Sequence, residues 1–88
     1  MQEFAGKVAV VTGAGSGIGL GMARAFAAAN MRLVLADIES EALAAAATEL
    51  GAGGAEVITV ATDVADQAAV ETLAERAYSA FGAVNVLC

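Results

Sequence analysis

The sequence predicts an α/β domain built on a doubly wound parallel sheet. Three observations carry that expectation. Short continuous apolar runs alternate with helical apolar stripes, turn residues bound each run, and a row of glycines separates the first run from the first stripe. Eighty-eight residues hold one core, not two. With 59% hydrophobic and 16% charged residues, the chain is too apolar for a disordered segment.

Lys7 to Thr12 is a run of Val8, Ala9, Val10 and Val11, which reads as a strand buried on both faces. After the glycines, Ile18, Met22, Ala25, Phe26 and Ala29 recur at helical spacing and predict one buried face. Asn30 suits the left-handed residue that ends this helix. Met31 to Ala36 is the second strand, closed by Asp37. Ser40 is the expected N-cap of a second helix through Leu50, with Leu43, Ala47 and Leu50 inward and Gly51 at its end. Ala52 to Ala55 form a small turn, and Glu56 to Ala61 the third strand. Asp66 caps a third helix with Val70, Leu73, Ala74, Ala77 and Phe81 on one stripe, stopped by Gly82. Ala83 to Cys88 opens a fourth strand.

Composition narrows the function. A net charge of −6 argues against a nucleic-acid surface, which needs clustered basic residues. Lys7, Arg24, Arg32 and Arg76 are scattered. The chain has no histidine, so a histidine-based metal site or catalytic triad is excluded; no metal site is expected. One cysteine, Cys88, and no secretory signal point to a cytoplasmic protein. No apolar run reaches the roughly 18 residues that span a membrane.

The chemistry-bearing motif is Thr12-Gly13-Ala14-Gly15-Ser16-Gly17-Ile18-Gly19, between a strand and a helix. That is the setting of a phosphate-binding turn, because the first helical amides lack partners and carry the positive end of the dipole. The common G-x-G-x-x-G fingerprint fails, since the position it needs is Ile18. G-x-x-x-G-x-G fits, on Gly13, Gly17 and Gly19. Gly13 allows a sharp strand exit, Gly17 lets the backbone approach a pyrophosphate, and Gly19 lets the helix pack close to the sheet. A P-loop is excluded, because no Gly-Lys-Ser/Thr follows.

Asp37 ends the second strand, where a carboxylate accepts from adenosine ribose hydroxyls. It also bears on cofactor choice, because NADP carries a 2′-phosphate there. Two unit charges 4 Å apart repel by about 4 kcal/mol at an effective dielectric of 20. Neither Ser16 nor Ile38 supplies a compensating cation, and Glu39, past the strand end, is a weaker candidate than Asp37. Asp63 and Val64 follow the third strand; Asp63 either accepts from an adenine amino group or caps the turn before Asp66, and Val64 offers an apolar contact.

Together, Thr12 to Gly19, Leu35-Ala36-Asp37, Asp63-Val64, Phe81-Gly82 and Val84-Asn85-Val86-Leu87 resemble the N-terminal half of a short-chain dehydrogenase/reductase over nearly the whole chain. The resemblance implies the first half of a Rossmann-type sheet, strand order 3-2-1-4. Residues 1–88 are then the N-terminal part of a single NAD(P)-binding domain, cut within the fourth strand. It implies a cytoplasmic oxidoreductase, dimeric or tetrameric, moving a hydride between nicotinamide and an alcohol or carbonyl substrate. By similarity Gly13, Ser16, Gly17, Ile18 and Gly19 cradle the pyrophosphate, Asp37 binds the ribose, and Asp63 and Val64 hold adenine. An acid at Asp37 with no following arginine goes with NAD rather than NADP.

The family's Asn-Asn-Ala-Gly segment, its catalytic serine and its Tyr-x-x-x-Lys pair have no counterpart here. Tyr78 is followed four positions on by Gly82, Lys7 precedes the first strand, and Cys88 reads as a strand residue, so no catalytic residue is assigned. The 88 residues alone are expected to be inactive. Two other readings stand beside the enzyme: a non-catalytic NAD-binding module or sensor, and a folding or interaction unit without a ligand.

Overall fold

The structure, a computed structural model, describes residues 4–88; the first three residues of the expected domain lie outside that span. Seven elements alternate: β1 (Val8–Thr12), α1 (Gly17–Ala28), β2 (Arg32–Asp37), α2 (Ser40–Ala52), β3 (Val57–Ala61), α3 (Gln67–Phe81) and β4 (Val86–Leu87). The strands form one parallel sheet in the order β3-β2-β1-β4, the order that the resemblance implies.

Side chains of successive strand residues point to opposite faces, and the core divides accordingly. Ala9, Val11, Leu33 and Leu35 face a layer that includes Ala23 of α1 and Leu43, Ala46 and Leu50 of α2. Val8, Val10, Val34 and Ala36 face Leu73 and Ala77 of α3. Both faces of β1 and β2 are covered, which explains their uninterrupted apolar runs. Among the described residues, no helix is long and apolar enough to cross a membrane.

Register positions the site. Thr12 lies opposite Ala36, and Asp37 opposite Ala61. The glycine turn, Asp37 and the Thr62–Val64 segment therefore leave the sheet along one edge.

Four local expectations need correction. The buried side of α1 is Ala23, flanked by partly buried Leu20, Phe26 and Ala27, while Ile18 and Ala25 are exposed. This helix is apolar on two sides; of the expected stripe Met22, Phe26 and Ala29 are partly buried, and Phe26 and Ala29 pack against the same core as Ala23. In α2 the capping position is Glu39, without a side-chain cap, and Ser40 is already helical. Gly51 lies inside the helix, which ends at Gly53 before Gly54 turns left-handed at φ +97°. In the third helix Val70 and Ala74 are exposed, leaving Leu73 and Ala77 to anchor it.

The fourth strand is shorter than expected, and Asn85 extends it by another route. Its backbone amide donates to the Val8 carbonyl, and its Oδ1 accepts from the Val8 amide at 2.9 Å. Val8 is fully buried, so losing that acceptor strands a polar group. Asn85→Ala should lower unfolding free energy by about 1–3 kcal/mol in denaturant titrations.

The third helix begins and ends as its sequence predicts. Asp66 accepts from the amides of Ala68 and Ala69, and Gly82 closes the helix at φ +76°. Asp66→Ala should cost about 1 kcal/mol of stability, read as a shift of the denaturation midpoint without a change of slope.

Candidate functional site

The turn between β1 and α1 is shaped by two left-handed glycines, Gly13 at φ +63° and Gly17 at φ +57°. L-residues with a Cβ are strained in that region. Between the two, the Ala14 amide donates to the Ala36 carbonyl at 3.1 Å, and the Ala14 side chain is fully buried. Gly19 is required by a close approach. A Cβ there would fall on the Gly13 carbonyl and meet the carbonyl of Thr12, the last residue of β1, at 3.0 Å, so the helix approaches both the turn and the strand end.

Ser16 occupies the N-cap position in extended backbone, yet its hydroxyl caps no amide. The first turn of α1 holds no acidic residue. The Leu20 amide is the first to close a helical bond, onto the Ser16 carbonyl at 3.2 Å. Among the described residues, the Gly17, Ile18 and Gly19 amides have no acceptor. Three unpaired donors at the positive end of a helix dipole form a receptor for an anionic oxygen.

Asp37 stands beside this turn. Its Oδ2 accepts from the Gly15 amide at 2.9 Å, and its Oδ1 from the Glu39 amide at 3.0 Å. These backbone donors, Glu39 first and Gly15 next, hold its carboxyl below the ordinary aspartate range. The sign follows from linkage: the group binds its proton less readily folded than unfolded. Its contribution is complete above about pH 4 and is lost as pH falls through the lowered folded value. Acid titration of folding stability should show that loss in wild type and a smaller one in Asp37→Asn.

The other expected site residues lie along the same edge. Asp63 Oδ1 accepts from the Ala65 amide at 2.9 Å, and its carbonyl accepts from the Asp66 amide. Asp63 therefore caps its turn, and its remaining oxygen, Oδ2, accepts no hydrogen bond among the described residues. Ile18 and Val64 are exposed, at 83% and 63%, as is Ile38 at 63%. Exposed branched aliphatic side chains beside a polar turn suit an apolar ligand surface.

Sequence reasoning passed over three residues that shape the site. A Cβ on Gly15 would meet the Ala42 Cβ at 2.8 Å and Asp37 Oδ2 at 2.9 Å, so the glycine between Gly13 and Gly17 is also spatially constrained. Thr12 Oγ1 donates to the Cys88 carbonyl at 2.9 Å, tying the turn's first residue to the residue that follows β4. Thr62, buried, donates its amide to the Asp37 carbonyl at 3.0 Å. A third glycine within G-x-x-x-G was the available signal for the first; the other two are contacts between distant segments. Tyr78 is 56% exposed on the α3 surface.

Comparison with known proteins agrees with this geometry. Residues 7–88 match the short chain dehydrogenase family. The chain belongs to that family. It is 46% identical over 80 residues to 1-deoxy-11-beta-hydroxypentalenate dehydrogenase of Streptomyces avermitilis, covering 91% of this chain and 30% of that protein. Among solved structures, a short chain dehydrogenase/reductase from Burkholderia phymatum in complex with NAD superposes with a TM-score of 0.96 at 54% identity, covering 99% of this chain and 31% of that one. L-sorbose reductase from Gluconobacter frateurii, complexed with NADPH and L-sorbose, gives 0.91 at 40% identity, covering 94% and 32%. The chain thus spans about 30% of the length of these relatives. Nicotinamide cofactors of both kinds occur among the structural neighbours.

Proposed function

We propose that this chain supplies the adenosine and pyrophosphate half of a nicotinamide-dinucleotide site, with NAD preferred to NADP. The complete protein is then an oxidoreductase acting on an alcohol or carbonyl substrate. The observation that carries this reading is the uncapped start of α1, where three backbone donors have no acceptor among the described residues and the first turn holds no acidic residue.

In this arrangement the Gly17, Ile18 and Gly19 amides donate to pyrophosphate oxygens, with the Ser16 hydroxyl beside them and Gly13 setting the path of the chain. Asp37, ionised and still holding unused lone pairs, accepts from ribose hydroxyls. The same charge disfavours a 2′-phosphate, and Ile38 brings no cation to offset it. Val64 gives adenine an apolar wall, and the unused oxygen of Asp63 accepts from its amino group. When bound, the cofactor supplies hydride transfer chemistry. Residues 1–88 hold it as the N-terminal part of one domain, and the acid–base groups for the substrate come from outside them. Family membership supports a homo-oligomer, and the single cysteine fits a reducing cytoplasm.

The reading is tested by incubating the full-length protein with NAD, NADP and a panel of secondary alcohols and following reduced nicotinamide. NAD-dependent reduction with at least one alcohol is expected. Absence of turnover, together with no binding of either cofactor, would overturn it.

A further inference from the structure

Two consecutive amides of the glycine turn hang from the end of β2: Ala14 from the Ala36 carbonyl and Gly15 from Asp37 Oδ2. The buried Ala14 side chain anchors the start of this segment in the core. Beyond it, the positions a Cβ would take at Gly13 and Gly17 contact nothing within 4 Å, whereas Gly15 is packed against Ala42 and the Asp37 carboxylate. That carboxylate is itself fixed. Its second oxygen accepts from Glu39, its residue pairs with Ala61 across the sheet, and its carbonyl accepts from the Thr62 amide.

We propose that Asp37 is a positioning residue for the phosphate-receiving turn, in addition to any contact it makes with a ribose. By holding the Gly15 amide it fixes the chain immediately before Ser16, and with it the direction of the Gly17, Ile18 and Gly19 amides. The ribose subsite and the phosphate turn then act as one device: a change at Asp37 alters affinity for the anionic part of the ligand even where no ribose hydroxyl is present. This rests on the cofactor reading above only for the identity of the anion.

Asp37→Asn tests it. The amide keeps one acceptor oxygen and replaces the other with an N–H donor, so it cannot accept from both Glu39 and Gly15. In the full-length protein without cofactor, the Gly15 amide should be protected from hydrogen exchange in wild type and exchange about tenfold faster in the variant. The second readout is affinity for 2′,3′-dideoxy-ADP, which has the pyrophosphate but no ribose hydroxyl. It should bind the variant about tenfold more weakly than wild type. Affinity that is unchanged or tighter, or a Gly15 amide already unprotected in wild type, would overturn the proposal. If wild type binds neither ADP nor its dideoxy analogue while the exchange result holds, the cofactor reading fails and the tether stands.

Discussion

Gly19→Ala in the full-length protein should weaken NAD binding by about 100-fold, equivalent to about 2.7 kcal/mol. The added methyl would fall on the Gly13 carbonyl, which is backbone and cannot rotate away. Either the start of α1 or the turn must shift, and overpacking of this kind costs about 1–3 kcal/mol of stability. The shift also displaces the donors that receive the anion, and hydrogen bonds to charged groups contribute about 1.5–3 kcal/mol each. Gly21→Ala is the internal control. Gly21 lies in the same helix, is exposed, and has open space where its Cβ would go. That substitution should raise stability by about 0.5–1 kcal/mol through helix propensity and leave affinity unchanged. Thermal unfolding and calorimetric titration of both variants measure the contrast. Equal affinities in Gly19→Ala and wild type would show that the close approach has no bearing on the ligand.

The second large effect is a change of cofactor. Asp37→Ala combined with Ile38→Arg should shift the NAD:NADP affinity ratio toward NADP by at least tenfold, or about 1.4 kcal/mol. The ceiling is set by removing a repulsion of about 4 kcal/mol and adding an attraction, both reduced by solvent, since Ile38 is 63% exposed. The structure adds a qualification to the simple charge argument. The carboxylate removed is also the acceptor of the Gly15 amide, so the double variant should bind NADP less tightly than wild type binds NAD. An unchanged ratio would remove Asp37 from the ribose subsite.

The parts of this protein that could be read from sequence are those governed by local rules. Strands buried on both faces must be continuously apolar, and β1 and β2 are. Asp66 and Gly82 mark the ends of α3 because capping and left-handed termination are properties of single residues. Asn30, at φ +64°, follows the same logic. The misread elements are those where packing decides between local options. Helix α1 carries apolar residues on two sides, and only contact with the sheet selects Ala23 and its neighbours. Gly51 could stop a helix, but the glycine pair Gly53-Gly54 follows, and the chain turns there instead. The strand-edge placement of Gly13, Asp37 and Asp63 was legible because each ends or follows a strand. The tether from Asp37 to Gly15 was not, because it joins two turns that become neighbours only when β1 and β2 pair.

The most direct test of the account is a calorimetric titration of the full-length protein with NAD and, separately, NADP under identical salt and pH. Saturable binding of both is expected, with NAD at least about tenfold tighter. Equal or tighter binding of NADP would contradict the role given to Asp37, and no heat with either cofactor at millimolar concentration would contradict the site itself.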